Sequence, residues 1–463
     1  MENQLAKLHD ASLHILKRTG IRIHHPGVCD ILKHHGVRID NGIAFFDPGS
    51  IMKWVGHAPD RFTLHARNPA HNMEIGAGRT WYGAGYGCPA IIAADGSRRE
   101  ALFDDYHAFL KLVHATDLFH INGGALVQPS DLDPDTCFAL MFDAAVRHSD
   151  KCLMGFPGTA SQVRDIMALA AAAFGGPGQL ADAPRVLTLV NTTSPLQLDG
   201  IALSTLMACA EHGQPVIISP GPIAGATGPI TPAGNIALGN AELLACIAIS
   251  QMIREGTPVV YGLQATTSDM KTGGISIGSP GFSLECAWGA RLAKMYNLPC
   301  RGGGASSDAK GVSVQSGYES MLAMFVSRRE GVDICLHSAG ILDAYGAMSF
   351  EQFFVDVEII RMVEYYCDGL AINDETLALD LIHEAGPGGQ FLSAPHTFAH
   401  CRTVPWQPGI THRGSLTTPT AQDEIFANIA KQNQAMRNSY TPPALDRETD
   451  KALKKCLDRI LAA

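Results

Sequence analysis

From about residue 116 onward, short apolar runs alternate with longer segments whose apolar positions recur at helical spacing. The runs are LFHINGGALV, KCLMGF, RVLTLVN, PVIISP, PVVYGL, PCRGGG, VDICLHS and, with the weakest pattern, GGQFLSAP. Helical stretches follow over 133–149, 161–174, 198–211, 235–255, 284–296, 317–330 and 350–366. Ser349 and Gln352 have the spacing of a capping box at the head of the last. Asp133–Pro134 sets a cap residue before a proline at a first helical position. Apolar runs this short, each joined to the next by a helix, predict parallel strands with helical crossovers. Eight such units fit a TIM (β/α)8 barrel over about residues 116–420. The competing doubly wound sheet would carry GxGxxG after its first strand, and that motif does not occur.

The N-terminal 115 residues have a different texture. A helix over 5–18 stops at Gly20, and a second over 26–35 stops before Gly36. Extended pieces follow: VRID, IAFFD, RFTLHA and PAIIAADGSR, with a turn at Asp95–Gly96. The predicted organisation is an α+β region over 1–115, a barrel over 116–420 and a helical tail over 421–463. One stretch stands out. RTWYGAGYGCP, residues 79–89, sets Trp81, Tyr82 and Tyr86 among three glycines. Glycine costs folding entropy, and aromatics ordinarily repay burial in a core. Their combination predicts a hairpin lying close against something. It either folds over the barrel mouth or seals the N-terminal region against the barrel.

Composition narrows the function. Apolar residues make up 46% and charged residues 17%, which suits a globular chain with a sizeable core. The formal charge of −10 argues against nucleic acid or an anionic membrane as partner. The N-terminus reads as a polar–apolar helix rather than a signal peptide, and no apolar run reads as a membrane span. The expectation is a soluble cytoplasmic protein. The 12 cysteines contain no CxxC, which predicts free thiols in a reducing compartment. HExxH is absent too, and no bound metal or nucleotide is expected.

In a barrel the chemistry sits at the C-terminal ends of strands and in the loops after them. That rule selects Gln128 and Asp131, Phe156, Asn191, Tyr261 and Gln264, Asp308 and Lys310, His337, and Asp343 and Tyr345. His396, His400 and Arg402 follow the weakest run and would supply positive charge. Asp131 reads equally as a helix cap. RGGGASSDAKG, residues 301–311, lacks the order of a phosphate loop. No nucleophile elbow and no paired-carboxylate motif occurs.

Several segments, taken in order, resemble a known family. They are ASLHILKRTGIRI, SDLDPDT, NTTSPLQLD, AGATGPITPAGNIALGNAE, VVYGLQATTSDMKTGG, SDAKGVSVQSGYES and FEQFFVDVEIIRM. Together they are similar to the trimethylamine methyltransferase (MttB-like) superfamily along nearly the whole chain. The resemblance implies a TIM barrel. It also implies transfer of a methyl group from a methylated amine to the Co(I) atom of cobalamin, carried by a separate corrinoid protein. The archetype uses pyrrolysine, which this chain lacks. The departure points to the branch acting on quaternary amines, with glycine betaine favoured and proline betaine or carnitine as alternatives. A quaternary nitrogen needs no proton to leave, which suits a chain without an acid–base motif. On this reading His337, Asp131 and Gln264 are the catalytic candidates. Trp81, Tyr82, Tyr86, Tyr261, Tyr345 and Phe354 are candidate cage walls for a cation. His337, His396 or Arg402 would meet the substrate carboxylate. A homo-oligomer is compatible with the resemblance. Two other readings stay open: a lyase or hydrolase using Asp308, Lys310 and His337, and a non-catalytic betaine-binding protein.

Overall fold

The computed structural model describes residues 2–462. Eight short parallel strands close into a ring. They are β1 (Trp81–Tyr82), β2 (Ile121–Gly123), β3 (Cys152–Met154), β4 (Val186–Asn191), β5 (Val216–Ser219), β6 (Val259–Tyr261), β7 (Arg301–Gly303) and β8 (Ile334–Leu336). Pairing runs from β2 to β6 in chain order and from β7 through β8 back to β1. Two parallel bridges, Tyr82 to Phe119 and Tyr261 to Cys300, complete the closure. A helix follows each strand: α1 (Phe103–Ala115), α2 (Cys137–His148), α3 (Ala160–Ala173), α4 (Gly200–Glu211), α5 (Pro232–Ile253), α6 (Pro280–Met295), α7 (Val314–Arg329) and α8 (Phe350–Cys367). This is the (β/α)8 architecture that the alternation predicts.

The register of the barrel differs from the sequence expectation by one unit. GGQFLSAP forms no strand, and its residues are mostly exposed. The missing strand lies upstream, in the aromatic–glycine stretch: Trp81–Tyr82 pairs with β8. The barrel elements therefore run from 81 to 367, and the boundaries drawn at 115 and 420 do not coincide with them. A two-residue strand is too short to show a period of two, which is why it reads as a loop.

Strand alternation then separates the three aromatics. Trp81 faces the barrel interior, packs with Ile121, Met154, Leu187 and Ile334, and donates its indole N–H to the Glu74 carbonyl. Tyr82 faces outward and donates its hydroxyl to Glu364 on α8, which also holds Arg328. Only Tyr86, beyond the strand, reaches the C-terminal mouth. The glycines answer to close approach: a Cβ on Gly85 would overlap the Met348 side chain.

A hairpin of Phe62–Leu64 and Met73–Ile75 packs Leu64, Met73 and Ile75 into the same interior cluster as Trp81, closing the N-terminal end. The Asp95–Gly96 turn joins Ala90–Ile92 to Arg98–Glu100, and this hairpin pairs with Ala347–Met348 in the loop after β8. It walls one side of the mouth. Ser349 caps α8 by accepting the Gln352 N–H, whereas the Gln352 side chain turns to Asp356 instead of completing the box. Residues 133–136 form a turn, and α2 begins only at Cys137. By length and composition α5 could cross a bilayer, but 89% of its apolar window is buried inside the fold. All 12 cysteines are free.

Candidate active site at the barrel mouth

The interior is filled with apolar side chains at its base, so a cavity can open only above them. It does so at the C-terminal ends of the strands, with a volume of about 500 Å3. Every barrel strand or the loop behind it contributes to its wall. Tyr86, Phe138, Phe156, Phe282 and Tyr345 supply aromatic surface. Gln128, Asn191, Ser219, Gln264 and Thr266 supply neutral polar groups, and Arg301 and His337 sit at the wall between β7 and β8. No aspartate or glutamate lines the cavity among the described residues.

Arg301 is the distinctive group. Its side chain is 4% exposed. Nη1 donates to Ser219 Oγ at 3.0 Å and Nη2 donates to His337 Nδ1 at 2.7 Å. Nε has no partner, and no salt bridge reaches this residue among the described ones. A buried cation ordinarily has a carboxylate beside it. Desolvation pushes the Arg301 pKa down, yet a guanidinium keeps its proton in proteins. The cavity thus holds one uncompensated positive charge.

His337 is neutral by the same physics. Burial, reinforced by Arg301, holds its pKa well below the usual imidazole range, with a backbone contact to Tyr86 opposing. Its Nδ1 accepts from Arg301, so the ring proton belongs on Nε2. His337 has φ of 58°, a left-handed backbone that swings the ring off the strand end into the cavity. Tyr345 stacks obliquely on it at 4.7 Å between centroids, and Tyr86 meets it edge-on at 6.2 Å. The turn that presents Tyr345 also runs left-handed, through Asp343, Ala344 and Tyr345. Asp343 anchors that turn by ion pairs with Lys310 and Arg98. The Tyr345 hydroxyl, pushed up to about 12 chiefly by burial, donates to Gln264 Oε1 at 3.3 Å.

The structure brings Tyr86, Gln128, Phe156, Asn191, Gln264, His337 and Tyr345 to the cavity wall and leaves the remaining sequence candidates outside. Asp131 is exposed and caps α1 by accepting the Phe103 N–H at 2.9 Å. Trp81 and Tyr82 lie in the barrel base and the helix layer, as described. Tyr261 points away from the cavity and donates to Asn240 on α5. Phe354 is buried in the α8 packing. His396 and Arg402 belong to a segment after α8 and line no part of the cavity. Lys310 is on the rim, 76% exposed, and Asp308 ties two loops by accepting from Ser276 Oγ and the Ile277 N–H. Among the described residues no group of three or more His, Cys, Asp or Glu is placed to hold a metal.

Sequence reasoning passed over Arg301, Phe138 and Phe282 as cavity residues. Arg301 opens the strand inside CRGGG, and a lone arginine beginning an apolar run with no acid nearby is the signal that was there to read. Gly304 makes the Arg301–His337 contact possible: a Cβ there would overlap the His337 backbone. Gly304→Ala is expected to part β7 from β8 and lower kcat/KM by about 100-fold. Gly311→Ala, where nothing lies within 4 Å, is the control that keeps wild-type kinetics.

The family described as trimethylamine methyltransferase (MTTB) matches residues 1–462. The chain belongs to the trimethylamine methyltransferase family. The glycine betaine methyltransferase of Desulfitobacterium hafniense (strain Y51) is 37% identical over 456 residues, covering 98% of this chain and 95% of that one. The proline betaine:corrinoid methyltransferase of Eubacterium limosum is 29% identical, over 98% and 95% of the two chains. The trimethylamine methyltransferase MttB of D. hafniense (strain DSM 10664 / DCB-2) is also 29% identical, over 87% and 81%. Among solved structures, the monomethylamine methyltransferase MtmB of Methanosarcina barkeri superposes with a TM-score of 0.53 at 14% identity, over 94% and 88% of the chains. That likeness concerns the fold. The family member described here is a methyltransferase, so the lyase, hydrolase and simple binding-protein readings fall away.

Proposed function

We propose that the enzyme moves a methyl group from glycine betaine to the Co(I) atom of a corrinoid held by a partner protein, releasing dimethylglycine. The observation that carries the substrate assignment is Arg301: a buried, unpaired guanidinium in a cavity lined by aromatics and free of acids. Such a site suits a zwitterion. The carboxylate takes the place of the missing counter-ion by charge-assisted hydrogen bonds. The trimethylammonium group lies against aromatic faces, each worth about 0.5–2 kcal/mol. A bare cation such as trimethylammonium would leave Arg301 uncompensated and face its repulsion. The names of the relatives, two of them betaine methyltransferases, support the same substrate class.

The chemistry asks little of side-chain acids and bases. The N–CH3 bond breaks with its electron pair remaining on nitrogen, and the positive nitrogen becomes a neutral tertiary amine. The methyl carbon accepts an electron pair from Co(I), which becomes formally Co(III). The residues of this chain orient and desolvate. Arg301, positioned by Ser219 and His337, fixes the carboxylate. Tyr86, Tyr345, Phe156 and Phe282 exclude water around the ammonium and direct one methyl outward. His337 acts as a neutral acceptor that aims the guanidinium, and Gln264 steadies Tyr345.

A spectroscopic panel tests this reading. Reduced cob(I)alamin, free and carrier-bound, is mixed with enzyme and glycine betaine, proline betaine, carnitine, choline, dimethylglycine or trimethylamine. Loss of the Co(I) band with formation of methylcobalamin is expected with glycine betaine. Turnover of choline or trimethylamine in preference to every carboxylated amine contradicts the assignment.

A further inference from the structure

The stretch SDAKGVSVQSGYES, residues 307–320, is one of those that carry the family resemblance, yet among the described residues none of it lines the cavity. It lies between two structures that do. On one side is the hairpin after β6, in which Thr267–Ser268 pairs with Ile275–Ser276 and which brings Ile275 and the adjoining Ile277 to the cavity wall. On the other is the left-handed turn that presents Tyr345. The stretch grips both. The Ser307 and Ala309 carbonyls accept the Ala344 and Asp343 N–H groups at 3.1 and 2.9 Å, and Lys310 adds its ion pair with Asp343. Toward the hairpin the grip is a single side chain. Asp308 accepts the Ser276 hydroxyl on Oδ2 and the Ile277 N–H on Oδ1, each at 2.9 Å. Buried Glu319 on α7 backs it, accepting from Ser307 Oγ at 2.7 Å and from the Asp308 N–H at 2.9 Å.

The hairpin has little else to keep it down. Two cross-strand pairs hold it together, and a two-stranded hairpin is marginal without packing. Its tip, residues 269–274, is exposed throughout, with Met270 at 69%. The outgoing strand is tied to the loop after β5, where Ser268 Oγ donates to the Ala224 carbonyl and the Ala224 N–H donates to the Thr266 carbonyl. The returning strand runs into α6, whose cap Ser279 meets Thr267 Oγ1 at 2.7 Å. Asp308 is what links the part carrying Ile275 and Ile277 to the loop after β7. The link is an expensive one. Asp308 and Glu319 are neighbouring carboxylates, and each raises the cost of the other's charge. Neutral groups would tie two loops at lower cost, whereas charge-assisted hydrogen bonds hold a mobile wall about twice as strongly.

We propose that Asp308 is a positioning residue for methyl transfer: its carboxylate latches the β6–α6 hairpin over the cavity. The latch keeps Ile275 and Ile277 in the wall, where they exclude water from the reacting methyl group. Through residues 307–310 it shares its footing with the Tyr345 turn, so the aliphatic and aromatic parts of the wall are held by one segment. No bond is made or broken at Asp308, and it carries no proton in the reaction. Arg301 holds the substrate carboxylate whether the hairpin is down or up, so the latch serves the transition state more than binding. The inference rests on the methyl-transfer reading for its catalytic consequence, but the latch itself is a property of the ligand-free protein.

Hydrogen exchange and steady-state kinetics on Asp308→Ala and Asp308→Asn test the proposal, with the donor being whichever amine of the spectroscopic panel methylates cobalamin fastest. In the ligand-free alanine variant, amides over 267–277 are expected to exchange at least about tenfold faster, while those of α6 and α7 keep wild-type rates. Its kcat is expected to fall at least about tenfold, as for loss of a hydrogen bond to a charged group, with KM within about threefold of the wild type. Asparagine keeps an acceptor for the Ile277 N–H and should recover part of kcat. Where alanine prevents folding, the asparagine variant carries the same two readouts at about threefold or more. An unchanged kcat overturns the proposal, and so does a hairpin whose exchange is unchanged. Faster exchange throughout α6 and α7, with a kcat that asparagine does not relieve, makes Asp308 a structural residue and overturns it too. If no amine of the panel reacts, the methyl-transfer reading fails, and the exchange rates alone decide whether Asp308 latches the hairpin.

Discussion

Arg301→Met is expected to lower kcat/KM for glycine betaine by at least about 30-fold, the loss associated with truncating one member of a buried, hydrogen-bonded charge pair. The effect should appear mainly in KM, because the guanidinium grips the carboxylate in ground and transition states alike. Stability should move the other way. Without substrate the wild type holds an uncompensated buried charge, and methionine fills a similar volume without one. The substrate-free variant should melt at or above the wild-type temperature. Steady-state kinetics and a thermal melt on the same preparation check both halves. Loss of stability together with activity would make Arg301 a structural residue instead.

His337 is the second large effect, and here the backbone enters. His337→Ala removes the acceptor that aims Arg301 Nη2, and it places alanine at a φ of 58°. Loss of a hydrogen bond to a charged group predicts about a 10- to 150-fold rise in KM. Asparagine tolerates the left-handed region and offers an acceptor oxygen, so His337→Asn should recover part of the loss. If alanine and asparagine behave identically, the ring's contacts with Tyr86 and Tyr345 matter more than its acceptor.

Most of the barrel is legible in the sequence because seven of its eight strands are apolar runs bounded by turns and joined by amphipathic helices. The eighth is not, for a physical reason. Trp81–Tyr82 is two residues long and sits among glycines selected for close approach, so it carries the marks of a loop. GGQFLSAP takes its place in a count to eight, but its leucine and phenylalanine face outward in the segment after α8. The strand-end rule places Gln128, Phe156, Asn191, Gln264, His337 and Tyr345 on the cavity wall from position alone. The same rule fails for Asp131, whose loop turns back to cap α1. Arg301 is legible only faintly, because no counter-charge in the chain stands beside it to mark a site. A group completed by its ligand leaves only an isolated charge in an apolar run. An aromatic cage built from residues 81–86 requires neighbours in sequence to share a face. Alternation along β1 forbids that, and the aromatic wall comes from residues far apart in the chain.

The most direct measurement is a calorimetric titration of the wild type with glycine betaine and with choline. The two share a trimethylammonium group, and choline replaces the carboxylate with a neutral hydroxymethyl. The account predicts that glycine betaine binds at least about 30-fold more tightly and that Arg301→Met erases the difference. Equal affinity for the two ligands, or a preference for choline, would contradict a site built around the substrate's carboxylate.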